Sequence, residues 1–272
     1  MKKPLTIFFM IILLNGCTVN YTQIFETQST NTKKIDDFFV YENDTVKITY
    51  SFWENYGLLS FGVYNKLNKP IYIDWKNSSF INNSNKIDYW IDETQKSTID
   101  YFSSYLYRGP LLKPGFAVQS GTQFSTSTEI KPERITFIPP KSNYYKSQFY
   151  LLPIECYKLN SDSINTTIEP RRDRPKKNTT IYSQDFSSSN SPLIFRNFLA
   201  FAFSENSKDF FFVDNEFYIN SVKQMDLKHY WGRSSGFDNK GNPIYPKNPF
   251  KVGTSFYIQV PENCGNLSKN RR

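Results

Sequence analysis

From Val46 the chain alternates apolar and polar positions with period two. Val46, Ile48, Tyr50 and Phe52 fall on one face, and Lys47, Thr49 and Ser51 on the other. A strand buried on one side requires this pattern. Asn55-Tyr56-Gly57 marks a turn, after which Leu59, Phe61 and Val63 alternate with Ser60, Gly62 and Tyr64. A connection over 65–70 leads to Ile71, Ile73 and Trp75, interleaved with Tyr72 and Asp74. Short connections rich in Gly, Asn and Pro between such runs predict an antiparallel meander or sandwich. Ser78–Ile81 and Lys86–Trp90 flank the polar run 82–85, a hairpin signal. Ile99, Phe102 and Leu106 have helical spacing, diluted by Ser, Thr and Tyr, so a short helix competes with a loop over 92–108. Arg134–Ile138 reads as a strand stopped by Pro139-Pro140, and Gln148–Cys156 as another with Pro153 at an edge or bulge. The segment 160–191 is polar and carries no such alternation. Aromatic strands return over 193–204, 209–213 and 216–222, with Asp214-Asn215 as the turn between the last two, and 255–260 closes the series. The pattern predicts an all-β chain: an antiparallel Ig-like β-sandwich over 36–262 with a long polar insertion at about 160–191. The alternative is two small β modules divided by that segment.

The start of the chain follows another rule. Lys2 and Lys3 precede ten apolar or small residues, Leu5–Leu14. Ten residues rise only about 15 Å as a helix, half of a bilayer core, so this is the pattern of a secretory signal peptide over 1–16. The ending Leu14-Asn15-Gly16-Cys17 resembles the lipobox of bacterial lipoproteins, although Asn15 departs from the small or aliphatic residue usual there. The resemblance implies that Cys17 becomes the first mature residue, with diacylglycerol on its sulfur and an acyl chain such as palmitate on its amine. Membrane lipid, reached through acylated Cys17, is then the first partner. Thr18 is not the Asp of inner-membrane retention, so the resemblance further implies an outer-membrane, periplasm-facing protein. Residues 17–35, rich in Thr, Asn, Gln and Ser, read as a flexible tether. Segments Val46–Trp53, Pro70–Trp75, Lys131–Ser142, Phe195–Leu199 and Val213–Tyr218 resemble Bacteroidota envelope lipoproteins to which no function is assigned. That resemblance bears on location and architecture alone.

Composition agrees with β structure: aromatic residues reach 18% and favour pleated, half-buried surfaces. The net charge of +8 is concentrated in Lys2 and Lys3, in the run 171–177, and in the tail 263–272 with Lys269, Arg271 and Arg272. A nucleic-acid protein carries such charge as a face of its fold, so no nucleic-acid partner is expected. The run 171–177 reads as a solvated loop, or as one that meets anionic head groups or glycan phosphates. Acylation of Cys17 would leave Cys156 and Cys264 as a possible disulfide in an exported compartment, while a free buried thiol at Cys156 is the other reading.

Candidate chemistry is sparse. His229 is the only histidine, in a Lys-His-Tyr-Trp context, and a catalytic triad would have to use it. No nucleophile elbow, metal site or cofactor is expected. Asp238-Asn239-Lys240-Gly241-Asn242 reads as a glycine turn and not a calcium loop. Trp75 shares the parity of Ile71 and Ile73 and belongs to the core. Trp53 and Trp90, at strand ends, are the candidates for stacking on a sugar. Asp44-Thr45-Val46 and Asp162-Ser163-Ile164 are similar to a short O-glycosylation pattern of exported Bacteroidota proteins, making Ser163 and Thr45 candidate acceptors. The reading is a membrane-anchored envelope lipoprotein whose sandwich binds a glycan or envelope protein, or has a structural role, without catalysis. Alternatives are a carbohydrate-active hydrolase using two carboxylates, with Asp88, Asp92, Glu93, Asp214 and Glu216 to draw on, and an accessory subunit of an outer-membrane complex.

Overall fold

The computed structural model describes residues 21–91, 133–154 and 156–260. Two antiparallel sheets face each other across an aromatic interior, so the chain is an all-β sandwich. One sheet is a meander of β2 (Lys33–Ile35), β3 (Phe38–Glu42), β4 (Val46–Ser51) and β5 (Leu58–Asn65), extended by β9 (Asn143–Tyr150). The other contains β1 (Tyr21–Ser29), β6 (Ile71–Asn82), β7 (Asn85–Asp88), β8 (Ile135–Ile138), β10 (Asn165–Pro170), β11 (Asn178–Asp185), β12 (Ile194–Ala202), β13 (Phe211–Asp226) and β16 (Ser255–Val260). With nine and five strands among the described residues, it is larger than the seven to nine strands of an Ig-type domain.

The period-two segments form strands where expected. In β4, Val46, Ile48 and Tyr50 are fully buried, and Ile71, Ile73 and Trp75 of β6 enter the same core. The sheets also join along one side through the backbone. Phe52 N donates to Gly253 O at 2.7 Å, and Tyr56 N to Tyr257 O at 2.8 Å. Gly57 makes this corner possible. Its φ is +68°, and a Cβ there would lie 2.8 Å from the Phe256 ring.

Three expectations are corrected. Residues 21–29 are not a tether: β1 pairs with β13 on one edge and β16 on the other, and Phe25 stacks on Phe256 at 4.8 Å. Of its buried polar residues Thr22, Gln23 and Thr27, the last two are matched. Gln23 Nε2 donates to Gln224 Oε1 at 2.8 Å, and Gln23 Oε1 accepts from Tyr157 N at 2.8 Å. Thr27 Oγ1 donates to Thr254 O. A Thr/Gln composition is read as solvated only when such partners cannot be seen.

Asp214-Asn215 is not a turn. It lies inside the sixteen-residue strand β13, with Asn215 facing the core and Asp214 paired with Arg196 on the outer face. The turn falls instead between β12 and β13. Segment 148–156 is likewise not one strand, because β9 ends at Tyr150 and the chain is irregular through Pro153. The polar insertion at about 160–191 is present and is itself ordered. It folds as the hairpin β10–β11, whose inner strand pairs with β13. A single core cluster takes residues from both sides of this hairpin, from Phe25 to Val260, so the chain is one sandwich and not two modules. The expected short helix at 92–108 and the basic tail 263–272 lie outside the described residues.

The core contains a directed polar chain. Tyr89 Oη donates to Asn197 Oδ1 (2.6 Å), Asn197 Nδ2 to Tyr50 Oη (3.2 Å), and Tyr50 Oη to Asn215 Oδ1 (2.8 Å). Burial raises both phenols above their ordinary pKa, so they remain donors. The chain ties β4, β12 and β13 in one register, since a slipped strand would orphan these groups.

Candidate functional site

The end of the sandwich where β1 begins gathers most of the unusual chemistry. Tyr21 pairs with Asp226 on one side and Val260 on the other. Asp226 caps a short helix, α1 (Leu227–Trp231), by accepting from Lys228 N at 2.7 Å. The helix folds back on the outer face of the larger sheet. There Tyr230 joins Ile24, Ile181 and Met225 in a second, small apolar cluster, rimmed by Trp53, Trp231, Phe250 and Tyr257.

The tip of β10–β11 docks on this helix. Arg172 Nη1 donates to the carbonyls of His229 and Tyr230, and its guanidinium lies 5.6 Å from the Phe250 ring centre. The free carbonyls of a helix end suit a cation. Arg171 holds Asp173 through two hydrogen bonds and lies 3.5 Å from Asp226. Half of the basic run is therefore a clamp and not a solvated loop. Arg174, Lys176 and Lys177 remain exposed.

His229 is buried at 1% exposure. Its Nδ1 accepts weakly from Arg172 N at 3.4 Å, and Nε2 is 3.9 Å from Glu169 with no hydrogen-bond partner. Burial lowers its pKa, opposed by Glu169. Just beyond it, Gly232-Arg233-Ser234-Ser235-Gly236 has the Gly-x-Ser-x-Gly spacing of a nucleophile elbow, contrary to the expectation that none exists. The structure removes the chemical meaning of this match. The run follows a helix instead of joining strand to helix, and Ser234 Oγ donates to Gly236 O at 2.7 Å.

After α1 comes a small hairpin of β14 (Gly236–Phe237) and β15 (Pro243–Ile244). Asp238 accepts from Lys240 N and Asn242 N, and Gly241 has φ +81°, so the expected glycine turn forms. Tyr245 stacks on Trp231 at 5.1 Å and holds the hairpin beside the helix. Phe237, Ile244 and Tyr245 are exposed at 71%, 47% and 38%.

Two polar features lie elsewhere. Lys146 points inward from β9, with its ammonium 4.5 Å from the Trp75 ring centre and 5.8 Å from that of Tyr89. Burial pushes its pKa down, against Glu133. A cavity of about 430 Å³ lies beside the bulge of β1, lined by Glu26, Thr32, Lys34, Asn220 and Thr254 among others. Thr32 Oγ1 and Asn220 Oδ1 are buried there without partners.

The residues singled out from sequence do not converge. Trp53 packs on Tyr257 at 5.2 Å in the small cluster, while Trp90 packs against the main core. Asp88 is paired with Lys86 and Asp214 with Arg196; Asp92 and Glu93 lie outside the described residues. Ser163 is exposed on a single helical turn capped by Asn160, whereas Thr45 is half-buried in the turn before β4. Cys156 is disulfide-bonded, with its partner outside the described residues, as are Cys17 and Cys264.

The sequence reading missed the stretch 226–251. It holds five Lys or Arg against two acids, a signal that counting by window would have found. No protein-family model, curated protein or solved structure matches the chain.

Proposed function

We propose that the chain is an outer-membrane lipoprotein, held by acyl chains on Cys17, whose sandwich is a periplasm-facing binding or structural module. The reading is carried by the order of Lys2-Lys3, the apolar run Leu5–Leu14 and Cys17, followed within a few residues by a strand set in the core. Among the described residues, β1 at Tyr21–Ser29 lies between β13 and β16, downstream of the proposed cleavage before Cys17. Three residues separate Cys17 from Tyr21, and the four steps span at most about 14 Å of extended chain. The acyl chains would thus hold the domain against the bilayer by one end, without a long tether. Several acyl chains are needed for firm attachment, which the lipoprotein modification supplies.

Cysteine chemistry supports a second, linked statement. A sulfur in a thioether cannot also be in a disulfide. With Cys156 bonded and only Cys17 and Cys264 besides it in the sequence, acylation of Cys17 requires the pair Cys156–Cys264. Metabolic labelling with a palmitate analogue tests the reading. Label on the wild type and none on Cys17→Ala supports it; no label on the wild type, or equal label on both, overturns it.

A further inference from the structure

We propose that the end of the sandwich built from 169–177 and 226–251 is a docking face for an anionic phospholipid surface. The choice of a bilayer as occupant rests on the acylation proposed for Cys17. The face itself rests on independent observations.

Charge is the first. These two segments hold ten Lys or Arg and four Asp or Glu, whereas the rest of the chain holds 23 against 21. Six of the eight net positive charges therefore sit in thirty-five residues. Two of the four acids, Asp173 and Asp226, are already bound by Arg171. In contrast Lys176, Lys177, Lys228, Arg233, Lys247 and Lys251 are exposed and make no ion pair among the described residues. Position is the second. The segments meet where Arg172 binds α1, which follows Asp226, the partner of Tyr21 in β1, and Tyr21 is four positions from Cys17 in the chain. Apolar exposure is the third. Phe237, Ile244 and Tyr245 project from the hairpin anchored on Trp231, among these cations. Exposed aromatic and aliphatic tips surrounded by Lys and Arg match the head-group region of a bilayer, which accepts rings and attracts cations. A nucleic acid would satisfy the charge but gives no reason for the exposed Phe237 and Ile244.

The test uses residues 18–272, which contain every strand described and no acyl chain, floated with vesicles. At 50 mM salt the protein should float with phosphatidylethanolamine/phosphatidylglycerol (7:3) and stay behind with phosphatidylcholine; at 500 mM salt flotation should fall, as screening requires. Lys176→Glu/Lys177→Glu/Lys247→Glu should weaken flotation at least about tenfold. Lys33→Glu/Lys34→Glu/Lys208→Glu makes the same charge change on exposed residues elsewhere and should weaken it far less. Phe237→Asp should weaken it without altering the melting curve. Absence of flotation with phosphatidylglycerol, or equal loss in the two triple variants, would overturn the docking face. Palmitate labelling reads the anchor separately: label without flotation removes the face alone, and flotation without label removes the anchor alone.

Discussion

The two ends of the sixteen-residue strand β13 are built from different chemistry. At Phe211 the surface is aromatic, and the exposed Glu205, Lys208 and Asp209 of the adjoining turn give it no excess of cations. Phe198 and Phe212 stack at 5.2 Å, Phe203 and Phe211 at 5.3 Å, and Lys69 lies 4.2 Å from the Phe203 ring centre. At Asp226 the strand gives way to a helix clamped by arginines and surrounded by exposed lysines. The difference is the one expected if the molecule is held by one end, as proposed. Charge collects where the chain would meet a membrane, while the far end offers flat rings to whatever lies beyond. Exposed stacked rings of this kind often serve as contact surfaces.

The comparison can be broken most severely at β1, the strand that ties the charged end to the core. Phe25→Ala removes a ring that is fully buried on Phe256 and should cost about 3–5 kcal/mol, read as a shift of the urea midpoint. Had residues 21–29 been a tether, the same change would be silent. Next is Asn197→Leu, midway between the ends. It orphans the Tyr89 hydroxyl in the core and should cost about 2–3 kcal/mol.

Arg172→Ala acts on the charged end alone. Losing its bonds to two helix carbonyls should cost about 1.5 kcal/mol and speed proteolysis within 171–177, leaving the opposite end protected. His229 gives this end a pH dependence. Its pKa is lowered in the fold from 6.5, so the folded state binds fewer protons than the unfolded chain. Its stability contribution is complete above about pH 6.5 and is lost as pH falls below that value. Melting temperature should therefore drop from pH 7.5 to 5 by less in His229→Gln than in the wild type. The smallest effect belongs to the far end, where Phe212→Ala should change stability by no more than about 0.5 kcal/mol. A larger cost there would mean that the aromatic end is structural and not a contact surface.

What could be read from sequence divides along physical lines. Strands with one wet face, such as β4, β5 and β16, announce themselves through alternation. Strand β1 does not, because Thr22, Gln23 and Thr27 are buried and two of them are satisfied by residues more than a hundred positions away. The Asp214-Asn215 pair has turn chemistry locally, yet Arg196 and Tyr50 claim its side chains and keep the strand straight. For the same reason Arg171 and Arg172 look like half of a solvated run, although the helix end that binds them lies more than fifty residues downstream. Long-range pairing, not local propensity, decided each case. The charged stretch 226–251 is different. It was legible by counting, and only its place beside Tyr21 required the fold.

The most direct measurement is an intact mass and non-reducing peptide map of protein extracted from membranes. The account requires a mature chain beginning at Cys17, with diacylglycerol in thioether linkage on its sulfur and an acyl chain on its amine, and a disulfide joining Cys156 to Cys264. A peptide linking Cys156 to Cys17 would contradict it, because that sulfur could then hold no lipid.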